Sequence, residues 1–441
     1  MTMINAYAGD PTPLSEAERA LIARRERLLG PAYRLFYRNP VHLVRGEGVW
    51  LYDPEGRPYL DAYNNVASVG HCHPHVVEAL ARQAAVLNTH TRYLNEVVLQ
   101  YAERLLAKFP PELSRVLFTC TGSEANDLAV RIAKAFTGGT GLIVTENAYH
   151  GGTDVVAGLS PSLGPAVPLG EHVRTVPAPD PRTPRGEIGA RFASGVRAAI
   201  ADLMRHGIKP AGLIVDTVFS SDGVFPDPAG FLAPAVEAIR AAGGLFIADE
   251  VQAGFGRTGE AMWGFERHGV LPDMVTLGKP MGAGHPIAGL VVRPEVGEAF
   301  GRTSRYFNTF GGNPVSCAVG AAVLDVMEGE SLRASTREVG LYFKSGLQRL
   351  ANVHAAIGDV RGVGLYLGVE FLVDERADLA ETYAADVVNA LRDRRILVSA
   401  TGPKGNVLKI RPPLVFGKEH VDLFIDALDE VLEDIGKGAG Q

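Results

Sequence analysis

The chain has little of what marks secreted, membrane or nucleic-acid-binding proteins. Its 441 residues contain three cysteines, Cys72, Cys120 and Cys317, an odd number without the spacing of a disulfide framework, so we expect reduced thiols and a cytoplasmic location. No apolar run approaches the length that a membrane span requires. The net charge of -7 and the pI near 6.0 give no basic footprint for nucleic acid. We therefore expect neither membrane nor nucleic-acid partners.

The amino terminus also lacks a targeting pattern, because residues 1–13 contain no basic segment followed by an apolar one. We expect no signal peptide there. The length exceeds that of one ordinary core and predicts two domains that bury about three quarters of the unfolded surface. The expected divisions are an amino-terminal arm over residues 1–60, a large domain over 61–320 and a small carboxyl-terminal domain over 321–441.

From Val116 onward, short apolar runs alternate with segments of helical spacing. Strands are predicted at 116–119, 142–145, 213–218, 245–247, 274–276 and 287–292. This alternation predicts right-handed crossovers and a parallel sheet with helices on both faces, an α/β domain. The long Pro- and Gly-rich segment 151–191 is predicted to be an ordered excursion or lid.

Beyond a predicted bridging helix at 318–327, the pattern becomes that of a smaller α+β domain. Strands are predicted at 364–371 and 407–410, with helices at 380–392 and 419–432. Ahead of the large domain, Ser15 predicts a helix that ends at Gly30, and the turn at 53–56 predicts a hairpin.

The most informative stretch runs from Gly244 to Pro286. The apolar run Leu245–Ala248 predicts a buried strand with Asp249 at its carboxyl end, the edge at which parallel sheets bind ligands. Thirty residues later, Lys279 lies in a glycine-rich loop, where Pro280 is expected to hold it out of helical geometry. Pyridoxal phosphate chemistry requires an aspartate facing the pyridinium nitrogen and a lysine that forms a Schiff base. Taken singly, each has an ordinary explanation as a surface lysine or a loop aspartate.

The segment 247–259 and the loop 278–282 together resemble the class III aminotransferases, which are pyridoxal phosphate enzymes of fold type I. The resemblance extends over about residues 30–435. It implies catalytic roles for Lys279 and Asp249. It also implies a large domain with a mostly parallel sheet covered by helices, a smaller α+β carboxyl-terminal domain, and an amino-terminal arm that packs on the small domain.

Two other interpretations of local motifs are weaker. Residues 254–259 match G-x-G-x-x-G, but 250–253 separate the match from the strand, so a dinucleotide site is disfavoured. His71, His73 and His75 suggest a metal site, yet Pro74 divides them between a strand end and a helix start. We expect no metal there, and the resemblance makes this segment the floor of the substrate pocket.

A cradle for the cofactor phosphate is predicted between a strand and a helix. Thr121 and Glu124 have the spacing of a capping box, Gly122 permits close approach, and a helix amino terminus offers N–H groups to an anion. Alone, this pattern describes an ordinary helix cap. Its similarity to the S-G-S-E-A-N phosphate loop of the family implies cofactor contacts from Thr121, Gly122 and Ser123.

Further cofactor contacts follow from the resemblance alone. It implies that Tyr149 stacks on the pyridine ring, that Val251 closes the opposite face and that Gln252 lies near the phenolic oxygen. Residues 306–314 resemble the motif whose threonine, here Thr309, reaches the cofactor phosphate of the neighbouring subunit. The implied assembly is a homodimer with shared active sites.

Within the family, the chain resembles the O-phosphoethanolamine phospho-lyase branch, also called alanine-glyoxylate aminotransferase-like. The similar segments are 64–75, 91–94, 278–286, 306–320 and 407–413. Lys409 occupies the position of the family's substrate-carboxylate arginine, and Arg411 would point to the same face of a strand. A leaving phosphate needs cationic donors, for which Arg92 and Lys404 are the candidates beside Lys409.

The expected activity is elimination of phosphate from O-phosphoethanolamine, or a related phosphorylated amine, to give an aldehyde, ammonia and phosphate. The alternative is a class III ω-aminotransferase that moves an amino group from an amine or amino acid to a keto acid. Both activities would use Lys279 and Asp249, so these residues do not decide between them. A non-catalytic or dinucleotide-binding protein is the weakest of the three hypotheses.

Overall fold

The computed structural model describes residues 5–9, 14–372 and 377–438. The helices are α1 (Glu16–Leu29), α2 (Pro74–Ala84), α3 (Glu96–Leu106), α4 (Gly122–Thr137), α5 (Asp154–Ala157), α6 (Arg185–Arg205), α7 (Ala233–Ala241), α8 (Gly264–Arg267), α9 (Pro294–Thr303), α10 (Pro314–Gly329), α11 (Leu332–Val353), α12 (Ala377–Asp393) and α13 (Lys418–Gly438). The strands are β1 (Arg45–Glu47), β2 (Trp50–Tyr52), β3 (Pro58–Asp61), β4 (Arg115–Thr119), β5 (Gly141–Thr145), β6 (Val173–Val176), β7 (Pro210–Asp216), β8 (Leu245–Asp249), β9 (Met274–Leu277), β10 (Ala288–Val292), β11 (Ile357–Val363), β12 (Tyr366–Phe371), β13 (Ile396–Leu397), β14 (Ser399–Thr401) and β15 (Val407–Ile410). None of the described helices combines the length and apolarity that a bilayer crossing requires.

A seven-stranded sheet forms the centre of the molecule, in the order β4-β10-β9-β8-β7-β5-β6. The pairs β6–β5, β5–β7, β7–β8 and β8–β9 are parallel, whereas β10 is antiparallel to both of its neighbours, β4 and β9. The strand predicted at 287–292 is therefore the antiparallel exception in the sheet. The link between β9 and β10 is too short for the crossover helix that a parallel pair needs, so the chain turns back on itself. The description of a mostly parallel sheet covered by helices is confirmed.

The segment 151–191 is ordered, as expected, but it contains more regular structure than the sequence indicated. It holds α5, a 3₁₀ turn, β6 and the start of α6. Strand β6 has only four residues, two of them half-buried, so its apolar run was too short to predict. It pairs with β5 at the edge of the sheet.

In the part of the chain that the structure describes, two four-stranded sheets lie outside the central one. The first has the order β1-β2-β3-β13, in which β3 from the amino-terminal region runs parallel to β13. The second, which we call the C-terminal sheet, comprises β11-β12-β15-β14. One strand was predicted at 364–371, but Gly364 lies in a turn at φ 54° and separates β11 from β12.

The apolar core follows these sheets. One cluster of buried side chains packs α2, α3, α6, α7 and α10 around the central sheet. Another packs α11, α12 and α13 against the C-terminal sheet and includes Phe343 and Phe424. Helix α10 contains the predicted bridging segment 318–327, and the domain divisions after residues 60 and 320 stay predictions.

Candidate active site

A cavity of about 210 Å³ opens where β7 and β8 end and α4 begins. Its lining residues are Thr121, Gly122, Ser123, Asn126, Tyr149, His150, Gly151, Asp216, Asp249, Val251, Gln252 and Lys279. This set includes all the residues predicted to bind the cofactor except Thr309. Ligand binding at the carboxyl edge of the sheet is the placement that the Asp249 strand predicted.

Asp249 is the last residue of β8, and it is almost fully buried. Its Oδ2 accepts a hydrogen bond from Asn126 Nδ2 at 2.9 Å and lies 2.7 Å from His150 Nδ1. Its Oδ1 accepts from the Val251 amide at 3.1 Å. Donors on both oxygens compensate the desolvation of a carboxylate and fix its plane, so Asp249 is held as a rigid anion that has further acceptor capacity.

Asn126 and His150 were not predicted as site residues. Asn126 also donates to the His150 carbonyl at 2.8 Å, so the two side chains hold Asp249 as one buried unit. A signal was available for each, because Asn126 ends the quoted phosphate-loop motif and His150 directly follows Tyr149. Nothing in their spacing indicated contact with Asp249, which is more than 90 residues away from either along the chain.

Lys279 begins a single 3₁₀ turn, Lys279–Gly282, rather than the non-helical loop expected from Pro280. The turn is anchored by Ser68, whose Oγ donates to the Pro280 carbonyl at 2.7 Å. Burial, together with the nearby Arg411 cation, lowers the pKa of Lys279 to about 8. No hydrogen bond or ion pair joins its amine to another described side chain. The group is therefore available as a nucleophile and as a base near neutral pH.

The start of α4 forms the predicted anion cradle. Thr121 Oγ1 accepts from the Glu124 amide at 3.2 Å, but Glu124 accepts from the Cys120 amide, so the capping box is shifted by one residue. A Cβ on Gly122 would lie 2.9 Å from Val251, and one on Gly151 would lie 2.5 Å from Ser123 Oγ. The absence of side chains at these glycines lets the backbone at the start of α4 border the cavity, and the N–H groups of a helix amino terminus suit a phosphate.

Two buried basic side chains lie beside the cavity. Lys409, in β15, and Arg411, just beyond it, are each only 7% exposed. Burial, followed by the Arg411 charge, places the pKa of Lys409 well below that of an ordinary lysine. Arg411 Nη1 donates to Asn65 Oδ1 at 2.9 Å and to Gln252 Oε1 at 2.5 Å. The contact between Arg411 and the Gln252 side chain was not predicted.

Besides Lys409, three predicted residues do not line this cavity. Arg92 and Thr309 are exposed, and the Arg92 guanidinium lies 3.7 Å from the Phe307 ring centre. Lys404 is exposed in the turn before β15. Within one chain, the cavity is therefore formed without them, and their roles in binding stay predictions.

The two disfavoured motifs have structural explanations. His71, His73 and His75 lie beside three different carboxylates, those of Asp61, Glu330 and Asp325. Residues 254–259 form turns rather than a strand-to-helix junction. The three histidines thus pair with carboxylates of the chain, and the glycine-rich segment lacks the local fold of a dinucleotide site.

Comparison with known proteins identifies the group to which this fold and site belong. The family profile "Aminotransferase class-III" matches residues 36–432. The chain belongs to the class III aminotransferase family. Enzymes of this family use pyridoxal phosphate, and this chain is a pyridoxal-phosphate-dependent enzyme of fold type I.

Named relatives point to two activities within the family. An alanine–glyoxylate aminotransferase 2-like protein of Drosophila melanogaster is 41% identical over 428 residues, which are 93% of this chain and 86% of that protein. An ethanolamine-phosphate phospho-lyase homologue of Caenorhabditis elegans is 35% identical and covers 98% of each chain. A phospholyase from Arthrobacter, solved in complex with phosphoethanolamine, is 44% identical, with a TM-score of 0.90 over 94% of this chain and 99% of that one.

The cavity fits pyridoxal phosphate by its own geometry. The close backbone approaches at Gly122 and Gly151 and the N–H groups of α4 would hold the phosphate. Asp249 would keep a proton on the ring nitrogen, and Lys279 would bind the aldehyde carbon. When bound, the cofactor supplies an electron sink for a carbanion. The chain would supply the anion, Asp249, that retains the ring proton and the amine, Lys279, that moves a substrate proton.

Proposed function

We propose that the enzyme eliminates phosphate from O-phosphoethanolamine or a closely related phosphorylated amine. With O-phosphoethanolamine and one water, the products are acetaldehyde, ammonia and phosphate. The observation that carries the proposal is the 44% identity, over nearly the whole chain, to a phospholyase solved with phosphoethanolamine. The buried basic side chains of Arg411 and Lys409 beside the cavity support it, because a dianionic leaving group needs positively charged donors.

The residues of the chain divide the work of this reaction. The Lys279 amine removes a proton from the carbon that bears nitrogen, and its lowered pKa of about 8 makes it an effective base near neutral pH. The Asp249 carboxylate keeps the ring nitrogen protonated, as its Asn126 and His150 contacts hold it in place. Cations at the pocket then stabilise the charge that develops on the departing phosphate.

The phosphate pocket includes Arg92, Lys404 and Lys409 in this proposal. Burial and the neighbouring Arg411 charge lower the pKa of Lys409, so an incoming phosphate would favour the protonated, cationic form of its amine. Arg92 is exposed and rests on Phe307, two residues from Thr309. Both Arg92 and Thr309 would therefore serve the site of an adjacent subunit.

A homodimer is part of the same proposal. Large apolar side chains are exposed around Arg92 and Thr309, including Tyr93 at 66%, Leu94 at 100% and Phe310 at 69%. Exposed apolar surface of this kind favours association. A second copy of the chain would cover it and would place Thr309 near its neighbour's cofactor phosphate, as the resemblance implies.

One assay tests the proposal against its alternative. The loaded enzyme is incubated with O-phosphoethanolamine and no keto acid, and phosphate, ammonia and acetaldehyde are quantified. Continuous release of all three in equal amounts is expected of a lyase. An aminotransferase would release neither ammonia nor phosphate; it would convert one equivalent of the amine per site to the corresponding aldehyde and would continue only on addition of pyruvate or glyoxylate, the activity named for the Drosophila relative. Lys279→Ala should abolish turnover in either case.

A further inference from the structure

The side chain of Gln252 joins the cofactor cavity to the C-terminal sheet. Gln252 lines the cavity, and its Oε1 accepts from Tyr366 OH at 3.1 Å and from Arg411 Nη1 at 2.5 Å. Its Nε2 donates to Ser220 Oγ, which in turn donates to the Asp216 carboxylate. Tyr366 begins β12 and Arg411 follows β15, so two strands of that sheet supply the donors.

These partners determine which way the amide faces. A guanidinium has only donors, so the atom next to Arg411 must be the Gln252 oxygen. The amide nitrogen is thereby directed to Ser220, whose single hydroxyl proton is committed to Asp216. Ser220 uses one of the two amide protons of Gln252, and the second is left for a ligand in the cavity that Gln252 lines.

Arg257 holds the C-terminal sheet at the positions next to these donors. Its side chain is 2% exposed, and its Nη1 donates to the carbonyls of Leu365, at 3.1 Å, and Pro412. Leu365 precedes Tyr366, and Pro412 follows Arg411. The Leu365 amide also donates back to the Arg257 carbonyl at 3.2 Å. A Cβ on Gly364 would lie 2.5 Å from that carbonyl, so the two segments are in direct backbone contact.

We propose that Tyr366 and Arg411 are positioning residues that fix the Gln252 amide with an N–H directed at the cofactor, and that Arg257 couples this orientation to docking of the C-terminal sheet. The cofactor site then acquires its full set of donors only when the sheet is in place. This orientation of Gln252 concerns contact with the cofactor and not with the substrate, so its test is independent of the proposed phospho-lyase activity.

The proposal predicts a spectroscopic effect. If the Gln252 N–H reaches the phenolic oxygen of the cofactor, it favours the anionic form of that oxygen, and its loss raises the pH midpoint of the visible absorbance. We expect Gln252→Leu to raise the midpoint by about 0.5–1 pH unit, the scale of one hydrogen bond. Tyr366→Phe should raise it by less, because Arg411 still holds the amide. Both variants should also weaken the binding of pyridoxal phosphate to the apoenzyme.

A double-mutant cycle distinguishes positioning from a merely structural role. If Tyr366 acts through Gln252, the double variant has the midpoint of Gln252→Leu, with no added shift from Tyr366→Phe. Arg257→Lys should behave as Tyr366→Phe does. Tyr383→Phe removes a hydroxyl from α12, where the ring packs on Phe371, and serves as the matched control with an unchanged midpoint.

Several results would overturn the proposal. An unchanged midpoint in Gln252→Leu would show that the amide does not serve the cofactor. Additive shifts in the double variant would show that Tyr366 acts by another route. A lowered melting temperature of Tyr366→Phe with an unmoved midpoint would leave it a structural residue. If Arg257→Lys does not fold, the Tyr366 and Gln252 variants decide the question.

Discussion

His150 Nδ1 lies 2.7 Å from Asp249 Oδ2, and both side chains are buried. Replacing His150 with Ala leaves that oxygen with the Asn126 amide as its remaining donor. Because a hydrogen bond to a charged group contributes about 1.5–3 kcal/mol, we expect roughly 10- to 100-fold weaker cofactor binding and slower turnover. Equilibrium dialysis of the apoenzyme measures the first quantity. His206→Ala, an exposed histidine on another surface, is the control, and equal affinities in both variants would contradict the prediction.

The lowered pKa of Lys279 predicts how the apoenzyme captures its cofactor. Burial and the Arg411 charge disfavour the ammonium, and only the neutral amine attacks an aldehyde. The rate of capture should therefore rise about tenfold per pH unit below pH 8 and level off above it. Stopped-flow absorbance measures this rate, and Lys279→Arg should abolish the visible signal. A rate still rising steeply at pH 10 would indicate an ordinary lysine.

The stability of the enzyme in acid should depend on His268. Burial lowers the pKa of this histidine from 6.5 to about 4 in the folded state. Between these values the unfolded chain binds a proton that the folded chain does not, so stability declines as the pH falls from 6.5 to 4. The contribution amounts to about 3 kcal/mol at the lower end.

Replacing His268 with Asn tests this dependence. Thermal unfolding of the loaded protein across pH 4–7 should show a shallower decline for His268→Asn than for the unmodified enzyme. His42→Asn, which changes an exposed histidine, should follow the unmodified curve. Identical slopes in all three proteins would assign the acid sensitivity to other groups.

The candidate phosphate ligands predict a selective kinetic defect. Arg92→Ala and Lys404→Ala should each lose a few kcal/mol of transition-state stabilisation for O-phosphoethanolamine, the scale of one preorganised charged donor. The visible absorbance of bound cofactor should survive in both, because neither residue lines the cofactor cavity. Arg191→Ala, on the exposed face of α6, is the matched control. Unchanged phosphate release would show that other residues form the pocket.

Sharing of sites between subunits is tested by mixing two inactive variants. In a hybrid of Lys279→Ala with Thr309→Val, one of the two sites combines an intact Lys279 from one subunit with an intact Thr309 from the other. If Thr309 serves its neighbour, mixed and refolded protein should regain about a quarter of the original activity, since half of random dimers are hybrids with one good site. No recovery would place Thr309 in its own subunit's site.

The parts of the site that could be predicted from the sequence are those formed by contiguous motifs. Asp249 ends strand β8, and Lys279 begins a short turn. The local sequence determines the backbone of both segments, and both residues line the cavity. The Arg411–Gln252 contact joins residues 159 positions apart, and no local pattern encodes it. The direction of β10 depended on the length of its connection to β9, which the apolar pattern of the strand does not report.

The parallel pairing of β3 with β13 affects how the nascent chain folds during translation. Leu60 pairs with Ile396, so the β3 edge of the amino-terminal hairpin stays unpaired until most of the polypeptide has been synthesised. An unpaired strand edge is a template for contact with other chains. Translation that stalls before β13 should therefore yield fragments that aggregate or recruit chaperones through this hairpin, however well their central sheet has formed.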